Sequence, residues 1–408
     1  MTPTSLRIAA AAALATALLS AQAPGRQKRS VTDAEVQRVH KSTLLLDAHN
    51  DVTSATVAGM DIGKSNPDHM TDIPRMKAGG MGAQIFAVYV SGSYVEGNHA
   101  ANRTLQMIDT VRHDIIAMHP NDFMFAGTVA DIRRAHSQHK IAALLGIEGG
   151  HSIEDSPRLL RDFYDLGVRY MTLTHSNSNH WADSSGDTNK RNNGLSPLGK
   201  EIVAEMNRIG MIVDISHVSD KTFYDALEVS KAPIFASHSS CRALSPAPRN
   251  MTDEMIAALG KKHGVVQINF ACDFLNPDVF AENEKTRAST VQLRDELMRK
   301  YASDPDGLQK AFRESRTAAG ATKRATLADV VKHINHVVQI AGIDSVGLGS
   351  DFDGIDCAPE GLDSVDKWPN LTKALLEEGY TAADIRKIYG ENFLRVLSEV
   401  ERVSKSSH

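Results

Sequence analysis

Eight short stretches of apolar and β-branched residues recur along the chain, at 43–48, 83–90, 141–147, 170–174, 211–215, 233–236, 264–270 and 345–349. Amphipathic helix patterns separate them, among them 101–118, 157–166, 221–229, 252–259 and 327–340. Strands that alternate with helices pair in parallel, because a parallel return needs a crossover of a dozen residues or more. Eight such units predict an α/β fold of the closed (β/α)8 TIM-barrel type, with an open doubly wound sheet as the alternative. A helix at 31–41, capped by Thr32, leads into the first strand, and 365–378 and 382–400 read as closing helices.

The regular spacing breaks twice. Residues 271–326 form a long insertion after the seventh strand, far beyond an ordinary βα connection, which is expected to sit over the barrel mouth or to form a subunit contact. Residues 177–196, rich in Asn, Ser, Asp and Gly, read as a loop. With 42% apolar residues among 408, the chain can bury a large core, and nothing marks a second domain, so residues 24–408 are expected to form a single one. Its 45 basic and 50 acidic residues are interspersed without long runs of either sign. That excludes a nucleic-acid footprint and points to a small-molecule partner.

Arg7, an apolar run at 8–19 and the small residues Ser20, Ala21 and Ala23 have the layout of a secretory signal peptide over residues 1–23, cleaved after Ala23 or Ala21. The run is too short to span a bilayer, so no transmembrane segment is expected in a mature, exported chain, periplasmic or secreted. Export implies an oxidising compartment, yet only Cys241, Cys272 and Cys357 are present. Cys272 and Cys357 follow neighbouring strands and could form a bridge across the mouth. Three free, partly buried thiols are the preferred reading.

The ends of the strands carry the chemistry. Asp47-Ala48-His49-Asn50-Asp51 closes the first strand, and residues at i and i+2 of a strand leave one face, so His49 and Asp51 can close on one ion. Taken alone, His-x-Asp is more often a polar strand end with a capping Asp. Glu148 follows the third strand, His175 the fourth, His217 the fifth, His238 the sixth and Asp351 the eighth. In a (β/α)8 barrel all these ends open on one face. With 17 His in the chain a single one is unremarkable, but four at strand ends, with three acidic residues, point to a metal site. Three His and two carboxylates exceed what one tetrahedral zinc needs and suit two ions bridged by a carboxylate and a hydroxide, as in a two-metal hydrolase. A further carboxylate must then carry the proton to the leaving amine. Gly-x-Ser-x-Gly is absent, which argues against a serine nucleophile on an α/β-hydrolase elbow.

From about residue 44 to 397 the sequence resembles the membrane dipeptidase (renal dipeptidase) family of metal-dependent amidohydrolases. The resemblance rests on Asp47-Ala-His49-Asn-Asp51, on the run from Asp72 to Gln84, and on Gly146-Ile-Glu148-Gly-Gly, Leu173-Thr-His175 and Asp214-Ile-Ser-His217-Val-Ser. Ser237-His238-Ser-Ser, Arg249-Asn250, Gly349-Ser-Asp351-Phe-Asp353-Gly and Gly390-Glu-Asn-Phe-Leu-Arg continue it in order. It implies a zinc dipeptidase with two Zn2+ per chain, one held by His49, Asp51 and Glu148, the other by the shared Glu148, His217 and His238. It further implies Asp351 as proton shuttle, His175 polarising the scissile carbonyl, Arg249 gripping the dipeptide carboxylate, and a homodimer. From the residues alone, Arg242 competes with Arg249 for that grip. A related two-metal amidohydrolase acting on acylated amino acids or cyclic amides is the alternative activity, and a metal-bound binding protein without catalysis is the non-enzymatic one.

Overall fold

The computed structural model describes residues 26–301 and 323–406, with 304, 307, 311, 314 and 315 between them. The signal-like segment 1–23 and most of the insertion's second helical pattern, 307–317, lie outside the described residues. Among the described residues nine strands form one sheet: β1 (Leu45–Asn50), β2 (Met81–Tyr89), β3 (Phe123–Phe125), β4 (Ile141–Glu148), β5 (Val168–Thr172), β6 (Ile212–Asp214), β7 (Phe235–Ser239), β8 (Val265–Ile268) and β9 (Val346–Leu348). Eight of them run in the order β1-β2-β4-β5-β6-β7-β8-β9, every pair parallel. The ring comes together just beyond β9, where Asp51 N–H donates to the Phe352 carbonyl at 2.8 Å and Asp351 N–H to the His49 carbonyl at 3.1 Å. The result is a nearly closed (β/α)8 barrel, as the alternation predicts.

The short β3 has no counterpart in the sequence reading. One edge of β4 is taken along its length by β2, from Ala83↔Ala142 to Tyr89↔Glu148. Its other edge meets β5 only from Leu145 onward, so the first residues of that edge are left for Phe123–Phe125. Such a strand depends on an edge that the tertiary structure leaves open.

Strands buried on both faces need continuous apolar runs, and all of β4 is buried. Its alternate residues join two different clusters: Ala142 and Leu144 pack with Leu46, Ile85, Phe235 and Phe393, whereas Ala143, Leu145 and Ile147 pack with Met107, Ile202 and Ile334 of surrounding helices. The first set fills the amino-terminal end of the barrel interior, where the closing helix Asn392–Lys405 packs against it. Around the outside, Ser156, Ser196, Ser219 and Thr252 each accept a hydrogen bond from the backbone N–H three residues on, which starts the helix at that point. Helix starts are thereby tied to the loops leaving the strand ends. No helix among the described residues is long and apolar enough to cross a membrane.

The preferred reading of three free thiols is corrected. Cys272 and Cys357 form a disulfide with Cα atoms 5.5 Å apart, and Cys241 is free and buried. The adjacency of β8 and β9 brings the two together, and Cys272 N–H also donates to the Cys357 carbonyl at 3.0 Å. Beyond this anchor the insertion continues as a helix, Pro277–Lys300, whose residues 281–290 are all exposed.

Candidate metal centre and active site

The residues singled out at the strand ends meet at the carboxyl end of the barrel. His49 lies in β1 and Asp51 just beyond it; Glu148 ends β4; His238 lies within β7. His175, His217 and Asp351 each sit three residues past β5, β6 and β9. Glu148 is the hub: its Oε2 is 3.6 Å from His49 Nε2, and its Oε1 is 2.9, 3.3 and 3.8 Å from Nε2 of His217, His238 and His175. Asp51 Oδ2 is 3.2 Å from His49 Nε2, and the Nε2 atoms of His217 and His238 are 3.0 Å apart. Asp351 closes on His49 and His238 in the same space.

These separations suit metal ligands. Two donors each about 2.0–2.1 Å from one tetrahedral ion are roughly 3.3–3.4 Å apart, which is the scale of the edges found here. Among the described residues, His49 Nε2 is buried with no well-aligned hydrogen-bond partner and faces the Asp51 and Glu148 oxygens at 3.2 and 3.6 Å, an arrangement that suits an imidazole ligating an ion. The donor set of imidazoles and carboxylates, split into His49–Asp51 and His217–His238 with Glu148 between, fits two divalent ions better than one.

Other side chains fix which nitrogen faces inward. Tyr170 donates its hydroxyl to the Ala48 carbonyl at 3.2 Å and so accepts from His49 Nδ1 at 2.7 Å. Ser237 donates to Asp214 Oδ2 at 2.6 Å and accepts from His238 Nδ1 at 2.7 Å. Both histidines therefore keep Nε2 free to bind. Gly146 permits the first arrangement, since a Cβ there would meet the Tyr170 ring at 2.0 Å. Backbone turns contribute too: His217, Asp351 and Asp353 adopt φ of 66°, 62° and 65°, a left-handed conformation that costs a non-glycine residue on the order of 1 kcal/mol. Asp353 is held there by Met70 N–H, which donates to its Oδ1 at 2.9 Å.

Burial and neighbouring charge set the protonation states. Burial holds His217 and His238 well below the usual histidine range, reinforced at both by the Arg249 charge, so both present neutral imidazoles. Burial works to raise Glu148, but the charges of His175 and His49 and hydrogen bonds from His217 and His238 hold it well below the ordinary carboxylate value. Asp351 goes the other way: burial, with the Asp51 charge beside it, raises it well above that value. A carboxylate whose affinity for a proton is raised in this way is suited to take one up and pass it on.

The two arginines separate cleanly. Arg242 is spent on structure, with two 2.7 Å bonds to Asp220 and others to the Asn250 and Pro248 carbonyls. Arg249 donates to Ser239 Oγ and the His238 carbonyl, both at 2.9 Å, and its buried Nε has no partner among the described residues. Burial lowers its pKa to about 10, so it stays charged at neutral pH. The sequence reading missed Tyr170, Asp214 and Ser237; Asp214 has a visible signal in Asp214-x-x-His217, whereas Tyr170 reads only as a strand residue.

The family model for membrane dipeptidases, peptidase family M19, matches residues 33–408. An uncharacterized dipeptidase of Schizosaccharomyces pombe is 34% identical over 381 residues, covering 89% of this chain and 82% of the relative. The dipeptidase AclJ of Aspergillus oryzae is 37% identical, covering 90% and 82%. Among solved structures, the probable dipeptidase PvdM of Pseudomonas aeruginosa superposes with a TM-score of 0.78 at 25% identity, covering 91% of this chain and 98% of its own. A metallo peptidase from Rhodobacter sphaeroides, liganded with a phosphinate mimic of the dipeptide L-Ala-D-Ala, gives 0.70 at 26% identity, covering 88% and 99%. A match across nearly the whole chain, on a barrel whose strand ends converge on a metal-ligand cluster, places this chain in the membrane dipeptidase family, peptidase family M19.

Proposed function

We propose that this chain hydrolyses the peptide bond of dipeptides with two zinc ions, one of which would be held by His49, Asp51 and Glu148 and the other by Glu148, His217 and His238. The observation that carries the reading is the placement of Glu148, whose two oxygens face the two ligand pairs separately. When bound, the ions supply a water acidified to a pKa of about 7 as nucleophile and Lewis acidity toward the carbonyl. His175, its Nε2 3.8 Å from Glu148, steadies the charge that develops on the carbonyl oxygen. Asp351 takes the proton of the attacking water and delivers it to the leaving amine as the C–N bond breaks. Arg249 grips the free carboxylate of the substrate through the N–H that has no partner among the described residues, which restricts the enzyme to very short peptides. The phosphinate dipeptide mimic on the R. sphaeroides relative supports the substrate class.

The test is hydrolysis of a panel of dipeptides and their C-terminal amides, with zinc counted by elemental analysis before and after chelation. Wild type should prefer the free dipeptides, about two zinc ions should accompany activity, and chelation should abolish it. Arg249→Met should lower kcat/KM strongly for free dipeptides and little for amides, because the amide already lacks the interaction the variant removes. Equal discrimination by variant and wild type would remove Arg249 from this role. Turnover of acylated amino acids or cyclic amides in preference to dipeptides would move the activity to a related amidohydrolase.

The proposal extends to an exported, periplasmic or secreted homodimer with residues 24–408 as one catalytic domain. The signal-like residues 1–23 and the Cys272–Cys357 bridge support export. Amino-terminal sequencing of the exported protein and light scattering test it.

A further inference from the structure

Asn269 stands one residue past β8 and is fully buried. Its Nδ2 donates to Asp351 Oδ2 at 2.8 Å, and its Oδ1 accepts from Ala271 N–H at 2.6 Å. That second bond fixes the orientation of the amide, since a flipped group would lose both contacts. The backbone of the two segments is tied as well: Phe270 N–H donates to the Ser350 carbonyl at 3.3 Å, and the Cys272–Cys357 bridge follows within a few residues on each side.

We propose that Asn269 is a positioning residue for Asp351: it holds Oδ2 by an amide N–H and leaves Oδ1 turned toward the metal ligands. Gly354 marks where that second oxygen lies. A Cβ on Gly354 would come within 2.5 Å of Asp351 Oδ1 and 2.4 Å of Asp51 Oδ2, so both oxygens border the same small space. Without the Asn269 bond, Asp351 is free to rotate away from it, in a residue whose backbone is already held at φ 62°. The inference rests on Asp351 acting as the proton carrier of the reading above.

The variants are Asn269→Asp, which keeps the acceptor for Ala271 N–H but replaces the donor to Asp351, and Asn269→Ala. In the zinc-loaded protein both should lower kcat by about 10–100-fold, with KM and zinc content near wild type. In an Asp351→Asn background the same changes should have little further effect on kcat. Losses that multiply in the double variant, or a fall in zinc content at Asn269 alone, would overturn the positioning role. If Asp351→Asn alone strips zinc, the reading of Asp351 as proton carrier fails instead, a result distinct from additivity at Asn269. Thermal melting of each variant separates a misfolded protein from a misplaced carboxylate.

Discussion

At the amino-terminal end of the barrel, Leu46, Ile85, Leu144, Phe235 and Phe393 share one apolar cluster, while at the carboxyl end β1, β4 and β7 present His49, Glu148 and His238. Both ends are buried and both draw on the same strands. At the first, the requirement is volume, and contacts are non-directional. At the second, each atom must face a chosen direction, and a second set of hydrogen bonds from Tyr170, Ser237, Asp214 and Asn269 enforces it. One barrel thus separates what keeps it folded from what it does. Tyr170 is a seam between the two, its ring stacked edge-on with Phe235 at 5.2 Å and its hydroxyl on His49.

The largest expected effect sharpens this separation. Glu148→Gln removes charge from the hub of both ligand pairs, so zinc should fall to one ion or fewer per chain and kcat/KM by about 1,000-fold or more. The metal-free melting temperature should fall, because the buried charge that His175, His49 and the hydrogen bonds from His217 and His238 stabilise is gone. Two tightly bound ions in this variant would deny Glu148 the bridge.

Leu144→Ala probes the opposite end. Truncation of this fully buried side chain should cost about 2–5 kcal/mol of stability, read from denaturant unfolding. The folded fraction should keep its zinc affinity and kcat. A selective loss of metal without loss of stability would show the two ends to be mechanically linked and break the comparison.

A smaller effect is expected at Ser237→Ala, which cuts the link between Asp214 and His238. Zinc affinity, measured by chelator competition, should drop about 10–100-fold, equivalent to about 1.4–2.7 kcal/mol. Ser237→Thr, which keeps a hydroxyl, should recover part of the loss. An affinity unchanged by removal of the hydroxyl would reduce this relay to packing.

Much of the barrel was legible from local pattern. The expected strands at 141–147 and 170–174 appear as Ile141–Glu148 and Val168–Thr172, because burial on both faces demands apolar runs that turn residues then end. The predicted helix at 101–118 is found as α-helix over Ala100–Asp109 that widens to a π-helix over Thr110–Ala117, a change that apolar spacing does not reveal. The strand predicted at 233–236 begins and ends later, at Phe235–Ser239, which places His238 inside the strand. Strand ends nonetheless located the cluster, since reactive residue types just past apolar runs must share the carboxyl face of a parallel barrel.

By itself the sequence determined the alternation, the face on which His49, Asp51, Glu148, His175, His217, His238 and Asp351 gather, and the residue types that suit divalent ions. These follow from periodicity and side-chain chemistry, which are local properties. Only the tertiary structure decided that Cys272 pairs with Cys357, that Arg242 is consumed by Asp220 while Arg249 keeps a free N–H, and that Asn269 holds Asp351. These depend on which loops become neighbours when β6 meets β7, β8 meets β9 and the ring comes together, and on backbone turns at His217 and Asp351 that no local propensity favours. Contacts between segments distant in sequence are set by barrel closure, and their geometry exists only once it has occurred.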